Sequence, residues 1–232
     1  MATDHANDTL LKPFRDPAFV ARYVEGPPRF VPGFADLHRM TDLLLAERAP
    51  EDARLLVLGA GGGLELKALA QAHPLWRFAG VDPAPEMLKL AKDMLGPLAS
   101  RVALVEGYID DAPEGPFDGA VCLLTLHFLD ATARRHAEEQ IHRRLRLGAP
   151  FVVAHASFPQ GAGRENWLAR YARFALGSGA GPAQVEKMRT DVGNALSLYD
   201  PAEDEALLRA AGFRDVQLFY AAFTWRGWIC HA

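Results

Sequence analysis

Short apolar runs alternate along this chain with longer stretches of helical spacing, and the alternation predicts most of its architecture. Leu55–Leu58, Arg77–Val81, Arg101–Val105, Phe117–Leu124 and Phe151–Ala156 read as strands. Between them, Leu64–Gln71, Pro85–Leu95 and Thr132–Leu147 place apolar residues at helical intervals, with stop signals at Gly96-Pro97 and Gly148. An earlier helix covers 35–48 through Leu37, Met40, Leu43 and Leu44. Phe117–Leu124 is nearly all apolar, as suits a central parallel strand covered on both faces. The whole pattern means an α/β protein with a doubly wound, mostly parallel sheet.

The rhythm changes after Ala156. Residues 157–198 are mostly helical in pattern, interrupted at Gly177-Ser178-Gly179-Ala180-Gly181. That stretch is too long for an ordinary connection and predicts a helical cap over the strand ends. Pro201–Ala211 reads as a helix ending at Gly212, and Val216–Phe223 with Trp225–Cys230 as an antiparallel hairpin at the sheet edge. Ahead of the first helix, Pro13, Pro17, Pro27, Pro28 and Pro32 limit helix length and predict irregular chain. Residues 1–10 are expected to be frayed.

Composition narrows the class without naming an activity. The 232 residues are 50% hydrophobic and 23% charged, enough for one sizeable soluble core. A net charge of -4 argues against a nucleic-acid surface. Cys122 and Cys230 both sit in apolar runs and are expected as buried thiols in a reducing compartment. No apolar stretch approaches the roughly 18 residues of a membrane span. Met1–Thr9 is polar and lacks a signal-peptide core, so a cytoplasmic protein without a membrane partner is expected.

The chemistry concentrates at the strand ends. Leu55-Leu56-Val57-Leu58 runs into Gly59-Ala60-Gly61-Gly62-Gly63, a helix begins at Leu64, and the next strand ends in Asp82. This is the layout of a βαβ unit that holds a nucleoside-bearing ligand. Glycines allow close backbone approach, and the acid can accept both hydrogen bonds of a ribose diol. The alternatives are close helix–strand packing for Gly59, Gly61 and Gly63, and a helix N-cap for Asp82. The expected organisation is an N-terminal arm (1–34), a Rossmann-like domain (35–156 and 199–232) and a cap insertion (157–198). Tyr108, Ile109 and Asp110 follow the third strand, where an adenine would need apolar contact and one acceptor.

Leu124, Thr125 and His127 follow the fourth strand, at the rim where a substrate would meet the ligand. His127 reads either as a general base or as a packing residue. His155 closes the fifth strand and points to the same rim. Trp167, Tyr171 and Phe174 share one helical face, which predicts packing on the sheet domain and leaves Tyr171 available to a substrate. Arg164, Arg170, Arg173 and Arg189 flank it, and guanidinium forks suit an anionic small molecule. Arg143, Arg144 and Arg146 resemble a nucleic-acid patch but read as complements to a helix C-terminus. No carboxylate-plus-His spacing predicts a metal site.

Gly80-Val81-Asp82-Pro83-Ala84-Pro85-Glu86-Met87-Leu88 resembles the Val-Asp-x-Ser/Ala-x-x-Met-Leu segment of class I S-adenosylmethionine-dependent methyltransferases, and Ala210-Ala211-Gly212-Phe213 before the terminal strands is similar to that family too. The resemblance covers about residues 29–230. It implies S-adenosylmethionine as cofactor, held by Gly59, Ala60, Gly61, Gly63, Asp82, Pro83, Met87, Tyr108, Ile109, Asp110, Leu124 and Thr125. It implies in-line methyl transfer to a small molecule, with His127 as the catalytic candidate and His155 and Tyr171 toward the substrate. A homodimer fits this reading as well as a monomer does. Two positions depart from the family: Val57 stands where an acid is usual, and Tyr108 where Asp is frequent. Val31-Pro32-Gly33-Phe34, Leu124–Leu129 and Phe219–Phe223 are similar to the carboxy-S-adenosylmethionine synthases, methyltransferase-like enzymes. That resemblance implies that Arg189, in Lys187-Met188-Arg189, holds a carboxylate added to the cofactor. A cofactor-binding protein without chemistry is a third reading, and a dinucleotide dehydrogenase a distant fourth.

Overall fold

In the computed structural model, which describes residues 11–194 and 196–232, seven strands form one sheet. They are β1 (Arg54–Leu58), β2 (Arg77–Asp82), β3 (Val102–Glu106), β4 (Gly119–Leu123), β5 (Pro150–Ala156), β6 (Arg214–Ala222) and β7 (Trp225–His231). Their order is β3-β2-β1-β4-β5-β7-β6. The first five are parallel, with Leu55 of β1 opposite Phe78 of β2 and Gly119 of β4. The helices α1 (Phe34–Ala46), α2 (Leu64–Ala72), α3 (Pro85–Leu95), α4 (Ala131–Arg144), α5 (Arg164–Gly177), α6 (Pro182–Asn194) and α7 (Pro201–Ala210) follow in chain order. The expected Rossmann-like sheet with its antiparallel C-terminal strand is present.

The period-two geometry of a strand divides the core into two layers. Leu55 and Val57 of β1 pack with Leu37 and Leu45 of α1 and Leu66 and Leu69 of α2. Leu56 and Leu58 face the other way, toward Ala137 and Ile141 of α4, Leu208 of α7 and Trp228 of β7. Burying each such leucine stabilises the fold by about 1.5–3 kcal/mol relative to exposure. Both cysteines are buried free thiols.

Four features differ from the pattern-based expectation. Helix α4 ends at Arg144 rather than Leu147, because Leu145 leaves it to form a parallel bridge with Phe117. Leu147 is left 92% exposed. Strand β4 ends at Leu123, since Leu124 turns into the left-handed region at φ 57°. In the terminal hairpin β7 lies inside, between β5 and the edge strand β6. The proline-rich arm is a chain of helical turns at Lys12–Arg15, Pro17–Val20, Tyr23–Glu25 and Gly26–Phe30. Proline fits the first turn of a helix and stops it from extending backwards. The frayed start expected over residues 1–10 lies outside the described residues. The C-terminal hairpin fastens the arm: the Trp225 indole N–H donates to the Phe30 carbonyl at 3.0 Å and the Tyr220 hydroxyl to the Pro32 carbonyl at 2.5 Å.

Arg134 joins three segments behind the strand ends. Its side chain is fully buried and donates to Asp204 of α7 at 2.5 Å, to the Leu126 carbonyl at 3.2 Å and to the Ser197 carbonyl at 2.6 Å. Its guanidinium also lies over the Tyr199 ring at 4.6 Å. Removing one partner of a buried ion pair leaves the other charge unpaired, a loss of about 3–5 kcal/mol. Arg134→Ala is therefore expected to lower unfolding free energy by about that amount in a urea titration; a loss under about 1 kcal/mol would contradict the buried geometry.

Candidate active site

Sheet order sets the layout of the site. Strands β3, β2, β1 and β4 end side by side, so the loops after them line one cleft. In doubly wound sheets ligands bind at these carboxyl ends, where the strand order reverses. The reversal here lies between β1 and β4, and the cavity at that place measures about 830 Å³. That is near the upper end of the range for small-molecule sites, roughly 300–1,000 Å³.

Asp82 closes β2 with 9% of its surface exposed. One carboxylate oxygen accepts from the Gly61 N–H at 2.9 Å and the other from the Ala84 N–H at 2.9 Å. An ionised carboxylate has about four acceptor positions, so each oxygen keeps capacity toward the cavity. Burial raises the Asp82 pKa, while the amides of Ala84 and Gly61 oppose the change. Asp82 is not the N-cap of α3, which is Ala84; it closes the turn ahead of that helix and borders the cavity.

The glycines divide their roles. Gly61 borders the cavity at φ 47°, and a Cβ there would have nothing closer than 3.6 Å. Gly59 also borders it, but its missing Cβ makes room for the Thr125 side chain. Gly63 does not reach the cavity; a Cβ there would lie 3.0 Å from the backbone of Ala91, so this glycine serves helix packing. Ala60 is fully buried beneath the loop and is likewise not a lining residue. Neither of these two expected cofactor residues lines the cavity; both are packed beneath it.

Pro83, Met87, Tyr108, Ile109, Asp110, Leu124 and Thr125 all line the cavity. Ile109 is buried and Tyr108 is 43% exposed at the rim. Asp110 meets His136 at 2.9 Å, which occupies part of its acceptor capacity. Leu124 holds its left-handed conformation through its N–H bond to the Ala154 carbonyl at 2.6 Å. A bulky residue in that region is strained, and such strain clusters at functional sites.

The histidines separate. His127 lines the cavity, 4% exposed, and its Nδ1 accepts from the Ala156 N–H at 3.3 Å. Since the amide can only donate, the ring proton belongs on Nε2. Burial, with His155 and Arg134 nearby, drives the pKa well below the ordinary histidine value. His127 is thus a neutral hydrogen-bond donor, and its basic nitrogen is already engaged. His155 corrects the expectation: it is 1% exposed, faces Asp204 at 3.2 Å and does not line the cavity. Alternation along β5 turns it into the layer that holds Trp228.

Tyr171 of α5 does line the cavity, buried to 1% exposure, with a hydroxyl that has no partner among the described residues. Arg189 does not. Its guanidinium pairs with Glu186 at 3.0 Å and with Glu165 at 3.3 Å on the outer surface. The spacing Glu186–Arg189 on α6 favours that local pair over a reach inward. Arg164 bonds the Gly193 carbonyl, and Arg170 lies over Trp167. None of Arg164, Arg170, Arg173 and Arg189 lines the cavity.

Sequence reading missed a wall. Phe14, Phe19, Tyr23 and Phe30 of the arm line the cavity, and Phe14 packs on Phe128 with ring centroids 5.6 Å apart. It also missed Glu65, in the first turn of α2, which is 8% exposed and borders the cavity. Burial, with Asp82 nearby, raises its pKa to about 8. The signal was available only as an acid placed at a helical position that faces the sheet. Among the described residues, no group of three His, Cys, Asp or Glu side chains is placed to hold a metal.

Residues 55–148 match the model of a methyltransferase domain. Along most of its length the chain is also similar to proteins named carboxy-S-adenosyl-L-methionine synthase. It shares 23% identity over 85% of this chain and 83% of the relative from Campylobacter lari. It shares 27% over 86% of this chain and 85% of the relative from Methylococcus capsulatus. Among solved structures it superposes on PigF with SAH at a TM-score of 0.69 and 19% identity, covering 96% of this chain. It superposes on human N-acetylserotonin methyltransferase in complex with SAM at 0.66 and 16%, again covering 96%. The chain spans only 62% and 58% of those two structures. The fold is the one these S-adenosylmethionine-dependent methyltransferases share.

Ionising Glu65 works against the fold, because its folded pKa of about 8 lies above the ordinary 4.5. The cost is absent below the lower value, grows as pH rises between the two, and is complete above the higher one. Glu65→Gln is therefore expected to match wild type near pH 4 and to exceed it at pH 8.5, with each pH step of one between those values adding about 1.4 kcal/mol. Denaturant titrations at both pH values check this; equal stability at pH 8.5 would refute the buried, unpaired carboxylate.

Proposed function

We propose that the protein transfers a methyl group, in line, from S-adenosylmethionine to a small and largely apolar molecule. The observation that carries this reading is the Asp82 carboxylate, fixed by two backbone amides at the cleft with acceptor capacity left over. A ribose diol matches that arrangement. Gly61 leaves the space a ligand backbone needs, and Met87 and Ile109 supply apolar contact for an adenine. The cofactor, when bound, supplies an electrophilic methyl on a good leaving group. Such a transfer needs no covalent enzyme intermediate, so alignment within the cleft supplies much of the rate.

The acceptor side of that chamber is aromatic: Phe30, Phe34, Tyr171 and Trp225 border it, with Met188. His38 is there too, its pKa lowered by burial to about 4, so it stays neutral. The free Tyr171 hydroxyl and the His127 Nε2–H offer two polar contacts to orient an acceptor. This pattern, apolar walls with few placed polar groups, suits a small molecule.

A second reading rests on the relatives named carboxy-S-adenosyl-L-methionine synthase. It would have a carboxylated cofactor as the product. The outward pairing of Arg189 with Glu186 and Glu165 speaks against that residue's part in it within one chain.

Native mass spectrometry of the purified protein separates the readings. Co-purified S-adenosylmethionine or S-adenosylhomocysteine supports the first, a carboxylated form the second, and a dinucleotide neither. Asp82→Ala is expected to weaken S-adenosylmethionine binding by at least about 100-fold in calorimetry, since two charge-assisted hydrogen bonds are lost. Tyr171→Phe is expected to raise the KM of an acceptor found by panel screening about five- to tenfold, one hydrogen bond's worth, with the cofactor KM unchanged.

A further inference from the structure

Glu65 has no assigned task, and its surroundings demand one. It is buried to 8% exposure, borders the cavity, and receives no hydrogen bond or ion pair from another residue among those described. Its own backbone amide is the one group that favours the charged form. Its neighbours make its charge harder to hold. Asp82 is a second acid, and the Tyr23 phenol of the arm has its own ionisation suppressed by burial and by both acids. A carboxylate left unpaired in an apolar site is costly, and a cation from a ligand would remove that cost.

Sheet order says which part of a ligand arrives there. The loop after β3 offers apolar contact, β2 ends in Asp82, and β1 leads through the glycine loop to Glu65 in the first turn of α2. A ligand whose base lies by Ile109 and whose ribose lies on Asp82 extends its remaining part across Gly61 toward Glu65. In S-adenosylmethionine that part is an amino acid carrying an ammonium group. We infer that Glu65 is the ammonium anchor of the site, fixing the amino-acid end of the cofactor beneath Tyr23. It is a positioning residue: it touches the cofactor and sets where the sulfur lies, and takes no part in bond making. The inference rests on the adenosyl reading proposed above and deepens it.

The test uses calorimetric titration of the full chain at pH 7.5 with three probes. S-Adenosylhomocysteine carries the amine and the carboxylate, its decarboxylated analogue carries the amine alone, and 5′-methylthioadenosine carries neither. Glu65→Gln should weaken the first two by at least about tenfold, 1.4 kcal/mol, and leave the third within about threefold. Glu65→Asp, which keeps the charge, should recover part of the loss. An equal loss for all three probes, or none for the two amines while 5′-methylthioadenosine still binds, overturns the anchor and leaves the adenosyl site standing. If wild type binds none of the three, the adenosyl reading itself falls, and the anchor with it.

Discussion

One buried carboxylate shapes the cleft. Asp82 sits at the end of the second strand and takes an amide from each side: Gly61 in the loop after β1 and Ala84 at the entry to α3. These two bonds hold the glycine loop open and fix where α3 begins. They also offset part of the cost of burying the charge, since hydrogen bonds from backbone amides favour the ionised form. The same oxygens retain lone pairs toward solvent space. The group that closes the turn before α3 is thus also an acceptor at the cleft.

The second constraint is the closure of the chamber from the two ends of the chain. The last two strands present Tyr220 and Trp225, and both donate to carbonyls of the arm, at Pro32 and Phe30. Helix α5 meets the same place through Tyr171, whose ring lies 5.9 Å from Phe30. Behind this wall the buried Arg134–Asp204 pair ties the loop after β4 to α7 and to the connection leading into it. The apolar chamber therefore depends on contacts between segments far apart in sequence, Trp225 and Phe30 being an example.

The strands, the crossover helices, the glycine loop and Asp82 were legible because each is written in local pattern. Two of the sequence-derived site residues fail for one shared reason: neither faces the chamber. His155 lies on the wrong side of β5, a matter of alternation that a fully buried strand does not reveal. Arg189 lies on a helix whose orientation nothing in its own spacing fixes, and local acids captured it. Gly63 and Ala60 belong to the right loop but point into packing.

The amino-acid sequence alone determined the βαβ framework, because strand and helix periods, glycine punctuation and the acid at a strand end act over a few residues. Tertiary structure alone decided the direction of His127's proton, the desolvation of Glu65 and the arm's place as a wall. Those depend on which distant groups remove water or donate a hydrogen bond, and the dielectric around a side chain is a property of the packed chamber rather than of its neighbours in sequence.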